Sequence, residues 1–261
     1  MRNETRGFCK YCGKEFTRSG MMRHLFTCKR RMAVLEAEEG KRKACYYLLL
    51  ISAKYNSDYW LVVEIREDAL LKDLDQFIRN IWVECCGHLS AFQIGGVMYE
   101  SHSEGGNIWG PPSKSMGCKV GEIFSDGMAI SYEYDFGSTT ELVIKVQDHR
   151  FGVWQKEPVV ILSRNNPPEI LCGHCGTNSA RWVDPERIYE EDPYWCDECL
   201  LAERREEAAE EDGEEYDEEG EWDEEMAETE FFLPVCNSPR MGVCGYEGSE
   251  TYPDQFQPDV I

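Results

Sequence analysis

An α+β body flanked by two small cysteine modules is the fold class this sequence predicts. Three observations predict it: β-rich runs that pair across turn residues, one amphipathic helix among them, and cysteine pairs grouped outside that stretch. The length permits it, since 261 residues with 42% apolar content support at least one core of about 100 residues. Lys plus Arg number 27 against 50 Asp plus Glu, a net charge of -23, which excludes a uniformly basic nucleic-acid coat. The imbalance is local. Residues 1–31 hold nine basic residues against Glu4 and Glu15, whereas residues 203–230 hold seventeen acidic residues against Arg204 and Arg205. Such opposed segments point to a nucleic-acid-facing N-terminus or to a contact between opposite charges.

In chain order, residues 1–32 come first. They contain Cys9-x2-Cys12, then Phe16, Met21, His24 and Cys28. Two thiolates on a tight knuckle, followed by His and Cys at i and i+4 on one helix face, bring four ligands into a tetrahedron around one zinc ion. Phe16 and Met21 make the small core of this C2HC finger. So short a unit buries too little surface to fold alone, and metal binding worth roughly 10–16 kcal/mol supplies the difference. The finger helix starts near Thr17 and presents Arg18 and Arg23, with Lys29, Arg30 and Arg31 trailing toward phosphates, so DNA or RNA is the expected partner. One finger covers only about 3 bp, which makes the expected binding weak and salt-dependent. Many single fingers dock proteins instead.

Residues 33–43 are charged and read as a linker or a helix extension. The body then occupies 44–150. Cys45–Ala53 and Tyr59–Ile65 are β-rich runs around the turn Asn56-Ser57-Asp58, a hairpin. Leu70, Leu71, Leu74, Phe77, Ile78, Ile81 and Trp82 recur at helical spacing, which predicts a helix over 69–83 with Asp68 as its cap. Leu89–Ile94 and Val97–Glu100 flank Gly95-Gly96, a two-residue hairpin turn. A loop rich in Gly, Ser and Pro covers 101–115, and Lys119–Phe124 is one short helical turn. Ile130, Tyr132, Tyr134 and Phe136 alternate with polar residues, as do Leu142, Ile144 and Val146. The order of elements predicts a β-grasp-like sheet with one helix across it.

The helix 68–82, the stretch His88-Leu89-Ser90-Ala91-Phe92-Gln93-Ile94-Gly95-Gly96, the strand Tyr132-Glu133-Tyr134-Asp135-Phe136-Gly137 and the late run Asn237-Ser238-Pro239-Arg240-Met241-Gly242-Val243-Cys244-Gly245-Tyr246 come in a distinctive order. Together they resemble the plasmid ORF-three-like family, also labelled insertion-element passenger proteins, over about 44–150 and 231–248. Longer members of that family are similar in carrying an N-terminal finger and a middle cysteine module. The resemblance implies a bacterial or archaeal protein associated with mobile elements, and it bears on fold more than on activity. Where the family often continues Gly-Asp after Asp-Phe, this chain has Gly137-Ser138-Thr139.

Within 151–202, Cys172-x2-Cys175 and Cys196-x2-Cys199 stand twenty residues apart, the spacing of a four-cysteine zinc ribbon in which two knuckles face each other. All four positions are thiolates, so this second zinc is structural, and His174 inside the first knuckle is left beside the site. The count of thirteen cysteines is odd, and their pairs fall at metal spacing, which favours zinc over disulfides in a reducing, cytoplasmic compartment. Cys236 and Cys244 read as packed thiols. Residues 203–230 form an acidic tether that stays extended or at most makes a frayed helix, and they are the candidate contact for a basic protein. Residues 231–261 then dock back on the body.

No nucleotide-binding loop, hydrolase elbow or metalloprotease helix occurs, and Asp135-Phe136-Gly137 stands without the other kinase motifs. A cleft using His88, His102, Asp135 and Arg240 is the remaining catalytic option, though each has a simpler capping or backbone-bonding role. No apolar run is long enough to span a bilayer, the longest being near Tyr46–Ala53, and no signal-peptide core opens the chain. The expectation is a non-enzymatic two-zinc adaptor with a nucleic-acid-contacting finger. The alternative is a protein-interaction module that regulates a mobile-element or defence enzyme, and the third reading is an enzyme of unknown substrate.

Overall fold

The structure, a computed structural model, describes residues 4–37, 42–102, 113–190, 192–212 and 231–259, with side chains to 206 in the last helix. Most of the Gly/Ser/Pro loop and residues 213–230 of the acidic tether lie outside the described residues. The chain forms two compact units: residues 1–168 with 237–239 and 249–261, and residues 169–236 with 240–248.

The first unit opens with a short hairpin, β1 (Arg6–Phe8) and β2 (Glu15–Thr17), followed by helices α1 (Arg18–Thr27) and α2 (Lys29–Glu36). Then come β3 (Lys43–Ala53), β4 (Trp60–Arg66), α3 (Leu71–Ile78), β5 (Ser90–Ile94), β6 (Val97–Glu100), β7 (Lys114–Ser115), β8 (Ala129–Tyr134), β9 (Thr140–Val153) and β10 (Val159–Arg164). Strands β3 to β10 form one eight-stranded sheet in the order β10-β4-β3-β9-β8-β5-β6-β7, antiparallel throughout except where β7 joins β6. The mixed α+β class and its crossing helix are as the sequence predicts. Gly95 and Gly96 both take positive φ, 56° and 82°, and close the β5–β6 turn with Ile94 opposite Val97. Strand β10 extends the sheet on β4, in a stretch the sequence reads as a connection.

Strand β4 explains the layering. Successive side chains of a strand point to opposite faces, and all seven residues of β4 are buried, so both faces are covered. On one face Leu61, Val63 and Ile65 join Leu49, Ile51, Leu142 and Ile144 beneath Leu71, Leu74, Phe77 and Ile78 of α3. On the other, Trp60 and Val62 join Leu48 and Leu162 against Met21 and Leu25 of α1. The N-terminal finger is therefore the outer layer of the sheet, with a core shared with β4 and β10. Gly7 makes the close approach possible: β1 bridges Asn165, and a Cβ at Gly7 would overlap the Arg164 carbonyl.

Two expected details of α3 are corrected. Asp68 is not its cap; it pairs with Arg66, while the Asp73 carboxylate accepts the Leu70 N–H at 2.8 Å. The helix also does not run on as a regular α-helix to 83, because Arg79–Val83 winds into a π-turn. Buried Arg79 donates there to Asp75, Glu84, the His88 carbonyl and Ser90 at 2.7–2.8 Å.

The late chain returns to this unit through polar contacts. The Asn237 and Asn165 amides bond reciprocally, Asn237 Nδ2 to the Asn165 carbonyl at 2.8 Å and Asn165 Nδ2 to Asn237 Oδ1 at 2.7 Å, and the Ser238 hydroxyl donates to the Trp82 carbonyl at 2.6 Å. Tyr252 packs edge-on against Phe77. The second unit has a three-stranded sheet of β11 (Trp182–Val183), β12 (Tyr194–Trp195) and β13 (Leu233–Pro234), with α4 (Asp197–Asp212) after β12. Among the described residues no helix is long and apolar enough to cross a membrane.

Candidate metal centres

The first cluster is built by the β1–β2 hairpin and α1. Cys9 and Cys12 flank a knuckle in which the Gly13 N–H donates to the Cys9 carbonyl at 2.9 Å and Gly13 takes φ 66°. His24 and Cys28 follow one turn apart at the end of α1, whose start is capped by Thr17 Oγ1 accepting the Gly20 N–H. The four ligand atoms lie within 4.8 Å of one another, and Cys12 Sγ stands 3.2 Å from His24 Nε2. Phe16 stacks on the His24 ring at 4.1 Å and Met21 is fully buried, which fixes the imidazole in place. Burial pushes the Cys9 thiol up to about 12, and burial with Lys14 lowers His24. A neutral imidazole is the ligand form of histidine, and a buried thiolate is stable only beside a cation. The donor set fits a metal ion on both counts.

The second cluster joins Cys172 and Cys175 to Cys196 and Cys199, again with all four sulfurs within 4.8 Å. Its knuckles close with Gly176 N–H on the Cys172 carbonyl at 2.9 Å and Leu200 N–H on the Cys196 carbonyl at 3.0 Å. The Thr177 hydroxyl and the backbone N–H groups of Asn178 and Thr177 lower Cys175 to about 6, whereas the bond to Cys196 pushes Cys199 up to about 12. Four thiols pressed together resist full ionisation unless a cation joins them, so this set also fits a metal ion. His174 lies beside the site, stacked on Trp195.

Of the basic residues expected at phosphates, Arg23, Lys29 and Arg30 are exposed and Arg18 is half-buried. Arg31 is turned inward. It is only 8% exposed, donates to the Leu25 carbonyl at 2.9 Å and pairs with Glu64 of β4 at 2.9 Å. Arg150 of β9 grips the same carboxylate, with Nε at 2.7 Å from Oε1. Burial pushes the Glu64 carboxyl up, but Arg150 and Arg31 outweigh it and hold it below the usual carboxylate range. Arg31 thus fastens the finger to the sheet, a role its place in a basic run conceals.

Of the candidate catalytic residues, His88 and Asp135 come together. His88 Nδ1 stands 3.6 Å from Asp135 Oδ1, while Arg240 belongs to the second unit. What also gathers around His88 is sulfur: Cys85 and Cys86, which the sequence does not flag because adjacent cysteines lack knuckle spacing.

Residues 51–228 match the family described as plasmid pRiA4b ORF-3-like protein. The chain belongs to this family. The ribbon of this ORF-3-like chain lies within the matched stretch and its finger lies outside it. A protein of unknown function, MM3350 from Methanosarcina mazei Go1, is similar in its crystal structure at 17% identity, over 67% of this chain and 92% of that one, with a TM-score of 0.39. No curated protein matches.

Proposed function

We propose that this ORF-3-like chain is a non-enzymatic, zinc-stabilised adaptor of a mobile element, whose finger contacts nucleic acid through Arg18, Arg23, Lys29 and Arg30. The observation that carries this reading is the segregation of charge. The finger's inner side is apolar and docked on the sheet, its outward positions hold exposed Arg23, Lys29 and Arg30, and the acidic excess lies in the rest of the chain. Zinc is the metal because a tetrahedral set of three cysteines and one histidine, or of four cysteines, within one coordination sphere is its structural donor set. With four protein ligands in each set, both ions hold the fold, and phosphate contact falls to the basic side chains.

Titration with fluorescent duplex DNA, single-stranded DNA and RNA at about 50 and 200 mM salt tests this. Four phosphate contacts make affinity fall about 100-fold over that range. Arg18→Ala and Arg23→Ala should each lower the salt slope by about one and leave metal content unchanged. Binding that ignores both substitutions would overturn the assignment.

One observation favours a second reading, the finger as a protein-docking module. Phe26, Met32 and Val34 of α1 and α2 are 49%, 48% and 44% exposed beside the arginines. Absence of any nucleic-acid binding together with capture of a protein partner that Met32→Asp abolishes would decide for it.

A further inference from the structure

The loop between α3 and β5 gathers donors that neither cysteine module uses. Cys85 Sγ and Cys86 Sγ stand 3.8 Å apart, and Cys86 Sγ is 2.9 Å from His88 Nε2. Two sulfurs bound to one zinc at about 2.3 Å in a tetrahedron stand about 3.8 Å apart, whereas a disulfide needs about 2.05 Å. Cys12 and His24 in the finger approach each other similarly, at 3.2 Å.

The surroundings hold this loop in one shape. Gly87 takes φ 78°, and its N–H donates to Glu84 Oε1 at 2.7 Å, which turns Cys86 and His88 to the same side. Arg79 fixes both ends, binding Glu84 Oε2 before the cysteines and the His88 carbonyl after them, each at 2.7 Å. The Tyr134 hydroxyl accepts the Cys85 N–H at 3.4 Å and lies 3.9 Å from its sulfur. Behind the histidine, Asp135 faces Nδ1 at 3.6 Å while Nε2 faces Cys86. A carboxylate on the far nitrogen is the usual orienting partner of a metal-bound histidine. Asp135 is itself buried and takes φ 62°, a left-handed conformation held in part by its own acceptance of the Gly137 N–H at 3.0 Å.

We infer that Cys85, Cys86 and His88 are ligands of a third metal site for a zinc-class divalent cation, with Asp135 as the residue that orients His88. Two thiolates and an imidazole select a borderline-soft ion over magnesium or calcium. The site lies on the sheet-and-helix body, separate from the donors of the finger and the ribbon.

The test is metal content per full-length chain, purified with zinc and measured by elemental mass spectrometry, for wild type, Cys86→Ser and His88→Ala. Cys86 is exposed, so its substitution spares the core. The expected result is one equivalent fewer in each variant, with the equivalents of the other two clusters retained. Asp135→Asn should keep the site but weaken it about 10- to 100-fold in competition with a chromophoric chelator. Cobalt loading gives a second reading: sulfur-to-cobalt absorbance should fall in Cys86→Ser while circular dichroism stays unchanged. Equal metal content and equal cobalt absorbance in wild type and Cys86→Ser would overturn the site, as would a wild-type mass 2 Da low that maps to a Cys85–Cys86 disulfide in zinc-purified protein.

Discussion

The finger and the ribbon use the same chemistry in opposite settings. In the finger, Cys9 and Cys28 are 0% and 2% exposed, and Met21 and Leu25 share a core with Trp60, Val62 and Leu162 of the sheet. In the ribbon's unit, Cys172 and Cys196 are buried but Cys175 is exposed, the three strands are two residues each, and the buried apolar side chains among the described residues are Ala180, Val183, Trp195, Leu200, Met241 and Tyr246. With a metal ion bound, a region of the first kind would be held by metal and by burial together. One of the second kind would depend more on its metal, because strands this short are not independently stable. Ligand spacing alone, which in both begins with a Cys-x2-Cys pair, does not reveal which regime applies.

The largest expected effect follows from that difference. Cys199→Ser, or metal removal by chelation, should unfold the ribbon, since metal binding in small structural sites supplies about 10–16 kcal/mol of folding free energy. Amide protection should vanish across 169–202 while β3, β4 and β9 keep theirs. Cys12→Ser should cost the finger its knuckle yet leave α1 partly protected, because Met21 and Leu25 remain covered by the sheet. Equal loss of protection in the two regions would break the comparison.

A smaller effect tests the finger's second anchor. Glu64 is 3% exposed between Arg31 and Arg150, and Glu64→Gln leaves one buried and one half-buried guanidinium without their counter-charge. Removing one partner of a buried ion group costs about 3–5 kcal/mol. For a unit of this size that is roughly 6–20 °C in Tm. The pH dependence has a definite sign. The folded carboxyl sits below its ordinary 4.5, so its contribution is complete above that pH and is lost as pH falls through the lower folded value. Thermal melts of wild type should therefore steepen in their acid decline relative to Glu64→Gln, and parallel pH profiles would remove Glu64 from the account.

What the sequence makes legible follows from how local each constraint is. The Cys and His pairs of both four-ligand clusters, the Gly95-Gly96 turn and the apolar face of α3 are each set by neighbours within a few residues, and spacing exposes them. The continuous burial of β4 is readable only as an apolar run, and its cause, a helix on one face and a finger on the other, is a tertiary fact. Arg31 reads as one more cation in a basic run because its partner lies 33 residues away on β4. Asp68 is at cap spacing, but Asp73 wins the Leu70 N–H from the other side of the turn. Cys85 and Cys86 are silent because adjacent cysteines lack knuckle spacing, and only the fold brings Asp135 to His88.

The finest test of the comparison separates docking from metal binding within the finger. Gly7 lies on β1, two residues before Cys9, and its backbone bridges Asn165 so closely that a methyl group would meet the Arg164 carbonyl and the Trp60 ring. Neither obstacle can swing aside, since one is backbone of β10 and the other a fully buried indole. Gly7→Ala should therefore lift the finger off the sheet at a cost of about 1–3 kcal/mol, the range for overpacking a tight contact. Metal content should stay at the wild-type value, because the Cys9–Cys12 knuckle and α1 are not touched. Hydrogen exchange should then quicken at Trp60 and Val62 on the outer face of β4, while Leu61 and Val63 beneath α3 change less. If Gly7→Ala also released the metal, docking and coordination would be one cooperative event, and the finger would resemble the ribbon in depending mainly on one support.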